Sequence, residues 1–170
     1  MRNEIEKFLI QHKLAVKENT LLVGFSGGCD SLCLLDNLNC LRHKYGFNLV
    51  AIHLNHNWRG EESKRDEVNC QNFCEKNDIE FVSECLNGDE PKTETFARDA
   101  RYDFFVRTAK KYQNSSIFTA HTRTDNAETL VYRIIKGTGI NGLRGILPAS
   151  MREGVALYRP LLKISREETE

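Results

Sequence analysis

The stretch Leu21–Ser31 reads L-L-V-G-F-S-G-G-C-D-S, and the rest of the chain is best interpreted from it. Its first half is mostly apolar, which predicts a short buried strand. Leucines then recur at helical spacing up to about Tyr45, which predicts a helix directly after the strand. Gly27 and Gly28 join the two and let the backbone turn tightly and approach a ligand. Because the N–H groups at a helix start attract anions, the stretch predicts a phosphate-binding turn.

Asp30 is unusual at such a turn, because its carboxylate repels phosphates. A Mg²⁺ ion between the two would remove that repulsion. Simpler interpretations remain open, in which the glycines only shape a tight turn and Asp30 or Ser31 only caps the helix. No Lys precedes the Ser, which excludes a P-loop NTPase, and the missing G-x-G-x-x-G fingerprint disfavours a Rossmann dehydrogenase.

Length and composition indicate one globular domain with a sizeable core, since 170 residues are 40% hydrophobic and 28% charged. No apolar run approaches membrane-spanning length and the start is too charged for a signal peptide, so we expect a cytoplasmic protein with no membrane partner. The net charge is zero, but residues 98–166 contain thirteen Lys or Arg against five Asp or Glu. Some of these cations belong to solvated helix faces, and the others can attract ATP or RNA phosphates.

Six cysteines occur without any C-x-x-C pair, at positions 29, 33, 40, 70, 74 and 85. Without a secretory signal, reduced thiols are expected rather than disulfides. Two pairs are spaced four apart, which suits one helix face. Buried, small apolar side chains are favoured over a metal site, because no zinc-type pattern accompanies them.

Further apolar stretches alternate with helical patterns and predict an α/β fold. We expect strands near 21–25, 48–54, 80–84 and 117–120, with a short extended stretch at 155–158. The alternation predicts a doubly wound parallel five-stranded sheet with helices on both faces. The segment Ile140–Gly154 is rich in helix breakers, Asn141 among them, and is expected to be a mobile or partner-ordered loop.

Polar residues follow two of these strands, where α/β sheets bind ligands. Asn55, His56 and Arg59 come after the second strand and His121 comes after the fourth. Arg59 can hold a phosphate and His56 can hydrogen-bond one. The alternative is a structural loop with Trp58 as a packing anchor.

Acidic side chains open the helix after His121. Thr124 is the predicted N-cap, and Asp125 and Glu128 are three residues apart on one face. They either complement the helix dipole or form an oxygen-rich Mg²⁺ site with Asp30. Arg98, in the preceding helix, either pairs with neighbouring acids or points at a nucleotide.

The last motif, Ser165–Glu168, is a capping box that begins a helix. The chain stops two residues later, so we expect it to be the N-terminal part of a longer polypeptide.

Five stretches in order resemble a known family. The first, Ser26–Ser31, resembles the signature of the PP-loop ATP pyrophosphatases, which cut ATP between its α and β phosphates. With it, the stretches His53–Ser63, Phe96–Phe105, Ala120–Thr129 with Lys136–Gly145, and Tyr158–Glu168 are similar to the N-terminal catalytic domain of the tRNA(Ile)-lysidine synthase family. The resemblance covers nearly the whole chain. It implies a Rossmann-like, adenine nucleotide α-hydrolase-like fold, with residues 1–170 as the ATP pyrophosphatase domain and the C-terminal tRNA-binding domains absent.

The family ligates lysine to C2 of the wobble cytidine of isoleucine tRNA and cleaves ATP to AMP and pyrophosphate. The resemblance therefore implies ATP and Mg²⁺ as cofactors, with free L-lysine and isoleucine tRNA carrying the CAU anticodon as partners. It leaves a homodimer open. It also implies that these 170 residues bind ATP but grip tRNA poorly.

The resemblance assigns site residues as follows. The nucleotide is expected at Ser26, Gly27, Gly28, Cys29, Asp30, Ser31, Asn55, His56, Arg59 and His121, and the metal at Asp30 and Asp125. The catalytic residues implied are Asp30, Asp125, Glu128, Arg98 and Arg159, the arginines clamping phosphates and Asp125 or Glu128 accepting the proton of lysine.

The chain departs from the family pattern at two motifs. Thr122 and Thr124 replace a histidine and an aspartate of H-H-x-D-D-x-x-E-T, and Asn57 and Trp58 replace the G-L of H-G-L-R. Two alternatives stay open: a PP-loop tRNA thiolase, and a non-catalytic adenine-nucleotide-binding module.

Overall fold

A computed structural model describes residues 1–140 and 142–170, and these form an α/β fold. In chain order the helices and strands are α1 Arg2–Gln11, β1 Thr20–Gly24, α2 Cys29–Tyr45, β2 Asn48–Asn55, α3 Glu61–Lys76, β3 Glu80–Cys85, α4 Glu94–Ala109, β4 Ser115–Phe118, α5 Arg123–Lys136, β5 Ala149–Arg152 and β6 Val155–Tyr158. Short 3₁₀ turns cover Gly142–Arg144 and Arg166–Glu168. Asn141, a predicted helix breaker, lies outside the described residues.

The sheet has six strands in the order β3-β2-β1-β4-β6-β5. Neighbours are parallel except for β5, which pairs antiparallel with β6. The doubly wound, mostly parallel sheet is confirmed, but the predicted count of five strands is wrong. The extra strand lies in the segment that was expected to be a loop. Glu153 and Gly154 both have positive φ, 47° and 83°, which is the backbone of a tight two-residue hairpin.

Both faces of the sheet are covered, because alternate residues of β1 are buried on opposite sides. Leu21 and Val23 pack in one apolar cluster with residues of α1, α2 and α3. Leu22 packs in the other cluster, against Phe105 and its neighbours on α4. The sheet edge at the carboxyl ends of the strands is therefore left as the place where side chains meet a ligand.

The cysteine prediction holds only in part. Cys70 and Cys74, one helical turn apart on α3, are buried in the core. Cys29 is exposed and Cys33 is half-buried, so the expected burial of this pair is wrong. Four-residue spacing puts two side chains on one face, but it does not say whether that face meets the core.

Among the described residues, no helix combines the length and apolar character needed to cross a membrane.

Candidate active site

A cavity of about 620 Å³ opens at the carboxyl ends of β1, β2 and β4. Eight predicted site residues line it: Ser26, Asp30, Ser31, Asn55, His56, Arg59, His121 and Asp125. Six others do not, namely Gly27, Gly28, Cys29, Arg98, Glu128 and Arg159. Polar groups that follow three different strands thus line one cavity.

The glycine bend after β1 is fixed by hydrogen bonds from Ser31. Its hydroxyl donates to the Gly28 carbonyl over 2.9 Å and accepts from the Ser26 N–H over 3.2 Å. Gly27 has φ +82°, and a Cβ atom there would lie 3.1 Å from the Cys70 sulfur. This position therefore requires glycine.

Helix α2 begins at this bend with Gly28 as its N-cap. Among the described residues no side chain caps it, so neither Asp30 nor Ser31 has the capping role that the sequence left open. The N–H groups of its first turn lack a side-chain acceptor and lie beside the cavity, which suits a phosphate. A Cβ at Gly28 would meet only the Ser26 hydroxyl, at 3.5 Å, so the approach to the bend is open on the protein side.

The loop after β2 is held by its own polar contacts. The Asn55 amide donates to the Glu67 carboxylate over 2.8 Å, and its oxygen accepts from the Asn57 N–H over 2.8 Å. Arg59 pairs with Asp66 at 2.7 Å. Asn55 and Arg59 therefore line the cavity with groups that already have partners.

His56 differs from its neighbours, because neither ring nitrogen has a hydrogen-bond partner among the described residues although both are buried. Its ring lies 5.4 Å from the Trp58 ring, tilted by 38°. Burial, with Arg101 and His53, lowers the pKa of His56 and favours the neutral ring. A neutral imidazole offers one donor and one acceptor to a ligand in the cavity.

His121, which follows β4, is also kept neutral. Burial, with the charge of Arg159, lowers its pKa to about 4. Its Nδ1 lies 2.9 Å from the Thr119 hydroxyl, which fixes the ring. His121 is therefore a hydrogen-bonding group at neutral pH rather than a cation.

The two arginines of α4, Arg98 and Arg101, differ in their position relative to the cavity. Arg101 lines the cavity together with Tyr102, whereas the guanidinium carbon of Arg98 lies 5.4 Å from the Tyr102 ring centroid. The neighbouring acids Asp99 and Asp103 pair with Arg152, at 3.5 and 2.9 Å. The resemblance to the family points to Arg98, and helix periodicity alone does not show which of the two arginines lines the cavity.

Arg159 is buried beside the β5–β6 hairpin. Its Nη1 donates to the Leu147 carbonyl over 2.8 Å and to the Ser150 hydroxyl over 3.0 Å. Its Nε is buried without a partner among the described residues. In this arrangement Arg159, directly after β6, is hydrogen-bonded to the start of β5.

Helix α5 starts with a capping box. Thr122 is the N-cap, and its N–H and hydroxyl donate to Asp125 over 2.7 and 2.9 Å. The prediction of Thr124 as the cap is wrong, because Thr122 and Asp125 have the three-residue spacing of the box. Burial acts to raise the pKa of Asp125, but these hydrogen bonds and the Arg166 guanidinium hold it below its ordinary value.

Arg166 joins the predicted acids. Its Nη2 is 2.6 Å from Asp125 Oδ1, its Nη1 is 3.5 Å from Glu128 Oε1, and its Nε is 3.9 Å from Asp30 Oδ2. No motif around Arg166 predicts this contact. The capping box at Ser165 is confirmed, because Glu168 accepts a hydrogen bond from the Ser165 N–H over 2.8 Å. This motif predicts the local turn but not the contacts of the Arg166 side chain.

The acids fit a magnesium ion. Asp30 and Asp125 both have a carboxylate oxygen within 4 Å of the Arg166 guanidinium, so the two acids face the same positive group. Within the described residues no three His, Cys, Asp or Glu side chains are placed to hold a metal by themselves. Mg²⁺ is commonly bound by one or two carboxylates together with phosphate oxygens and water, and this donor set matches.

The fold and the site define a class: a parallel α/β sheet whose first strand turns through glycines into an uncapped helix, beside carboxylates from a neighbouring helix start. A family model described as the PP-loop domain matches residues 1–170, and the chain belongs to the PP-loop family.

Curated relatives carry the name tRNA(Ile)-lysidine synthase. That of Clostridium tetani is 39% identical over 166 residues, which are 94% of this chain and 35% of the relative. That of Nostoc sp. is 36% identical over 169 residues, 98% of this chain and 48% of the relative. The chain thus spans between a third and a half of these two proteins.

A solved structure shares the fold. It is the U34-tRNA thiolase NcsA from Methanococcus maripaludis with its [4Fe-4S] cluster, with a TM-score of 0.79 and 20% identity. The match covers 99% of this chain and 60% of the thiolase. At this identity the likeness shows the fold alone.

Proposed function

We propose that the chain is the ATP pyrophosphatase part of a tRNA(Ile)-lysidine synthase. It activates C2 of the wobble cytidine of isoleucine tRNA with ATP, releases pyrophosphate, and passes the activated base to free lysine, which displaces AMP. The observation that carries the proposal is that Asp30 and Asp125, from two separate helix starts, meet at one cavity beside the uncapped start of α2. Family membership and the names of the relatives support it.

The start of α2 serves the phosphates in this proposal. The attacked α-phosphate gains charge on its oxygens, and fixed backbone N–H donors at a helix start stabilise that charge without reorganising. Mg²⁺ bound to Asp30 and Asp125 would neutralise charge on the leaving pyrophosphate.

Lysine needs a base, because its amine is protonated at neutral pH. Asp125 has a lowered pKa and stays ionised, which suits it to orient the ammonium. Glu128 is more exposed, with 63% of its side chain accessible, and is better placed to pass a proton to water. His121 and His56 remain neutral and hydrogen-bond the nucleotide or the base.

The test is release of pyrophosphate from ATP with every combination of lysine and isoleucine tRNA, measured with the chain alone and as part of the longer polypeptide that contains it. The proposal expects release to need both tRNA and lysine for turnover, and AMP to form in equal amount. Sulfur-dependent transfer instead of lysine transfer would favour the thiolase. ATP binding without cleavage in the longer polypeptide would favour a nucleotide-binding module.

A further inference from the structure

Arg166 lies where a substrate cation would be expected. Its guanidinium contacts Asp125 directly and has Asp30 and Glu128 within 4 Å. These are the carboxylates that the proposed function gives to the metal and to the lysine ammonium. An internal side chain of this protein thus pairs with these acidic groups.

The segment that carries Arg166 is tied to both helix starts. Its N–H donates to the Thr124 hydroxyl over 3.3 Å, and the Arg123 N–H donates to the Ile164 carbonyl over 2.8 Å. The Thr169 hydroxyl donates to Asp30 at the start of α2. The segment therefore bridges the phosphate side and the acidic side of the cavity.

The ion pairs between Arg166 and the acids can also break. The Arg166 side chain is 41% accessible, and solvent screens its attraction to the acids. The backbone ties of the segment go to α5 and do not depend on the guanidinium. The side chain can therefore leave Asp30 and Asp125 while the turn Arg166–Glu168 stays in place.

We propose that Arg166 is an internal counter-ion that competes with the divalent cation for Asp30 and Asp125 and leaves them when the metal binds. The inference rests on the proposed function for the role of those acids. A guanidinium and a divalent cation within about 4 Å repel each other, and each carboxylate oxygen that binds one is lost to the other. Arg166 is thus a positioning residue that keeps the acids together and delays metal binding until a nucleotide adds its own ligands.

The test uses Mn²⁺ alone as the probe, without nucleotide, tRNA or lysine, and measures free Mn²⁺ by electron paramagnetic resonance. Removing one nearby positive charge is expected to make Arg166→Gln bind Mn²⁺ about tenfold tighter than the unchanged chain. Arg123→Gln is the matched control, because Arg123 lies on the same surface, 4.0 Å from Glu168, and has no contact with Asp30 or Asp125 among the described residues. It is expected to bind as the unchanged chain does.

Adding Asp30→Asn to Arg166→Gln is expected to abolish the gain. Equal or weaker Mn²⁺ binding by Arg166→Gln, or a gain that survives Asp30→Asn, would overturn the proposal. Should Arg166→Gln fail to fold, Arg166→Met decides, since this variant also removes the positive charge and is expected to bind Mn²⁺ more tightly. Because no ATP is present, this result is independent of whether pyrophosphate is released.

Discussion

Helices α2 and α5 begin at the same edge of the sheet, after the neighbouring parallel strands β1 and β4, yet their starts are built differently. The first turn of α2 has a glycine cap and no side-chain acceptor among the described residues. The first turn of α5 is closed by Thr122 and Asp125. The N–H groups of an uncapped helix start can bind an anion, whereas the start of α5 presents the carboxylate of its capping box. The difference shows how one sheet edge provides both a phosphate site and an acidic site.

The largest effect is expected where the two starts cooperate. Asp30→Asn removes one of the two carboxylates near the Arg166 guanidinium, and loss of charge stabilisation of this kind lowers rates by about a hundredfold or more. The measurement is pyrophosphate release with saturating ATP. Asp36→Asn, an exposed position on the same helix, is the control and should keep its activity. Equal rates of pyrophosphate release for the two variants would show that Asp30 has no role in the reaction.

The acidic side is expected to show a pH dependence through His121. Its pKa is lowered from 6.5 to about 4, so the unfolded chain takes up the proton first as the pH falls. The neutral ring therefore makes its full contribution to stability above pH 6.5, and about 3 kcal/mol of the free energy of unfolding is lost as the pH falls to 4. Urea unfolding between pH 4 and 7 measures it. His121→Gln should flatten the profile, and an unchanged slope would contradict the assignment.

Substitutions at the two glycines of the bend should have different effects, one on the stability of the fold and the other on ATP binding. Gly27→Ala places a Cβ at φ +82° and should lower the free energy of unfolding by about 1–3 kcal/mol. Gly28→Ala meets only ordinary contacts, so it should fold normally but bind ATP several-fold more weakly. Thermal unfolding and ATP titration measure the two effects. If Gly28→Ala bound ATP with normal affinity, the phosphates would not bind at the glycine bend.

The smallest effect is expected at the cap of α5. Thr122→Ala leaves Asp125 without its hydroxyl donor and should cost about 1 kcal/mol of unfolding free energy. Thr122→Ser keeps the hydroxyl and is the matched variant, which should lose less. Chemical denaturation compares them. The same stability for Ala and Ser would mean that the box does not hold this helix start.

The local sequence pattern was enough to predict the first four strands and the glycine bend, because the signal for each lies in consecutive residues. The hairpin of β5 escaped prediction because its turn uses Glu153 at positive φ, which no turn signature marks. Thr122 could have been found, since Asp125 follows it at capping-box spacing. Arg166 could not, because its contact with Asp125 spans 41 positions and exists only once the sheet brings β4 and the end of the chain together.

The central claim is that a triphosphate lies across the glycine bend while Asp30 and Asp125 share its metal. A crystal structure of the chain with Mg²⁺ and an ATP analogue that resists cleavage between the α and β phosphates tests it most directly. The account predicts phosphate oxygens on the backbone N–H groups at the start of α2, a cation between the two aspartates, and Arg166 moved away from both. Phosphates bound elsewhere, with the bend free of ligand and Arg166 still on Asp125, would contradict it.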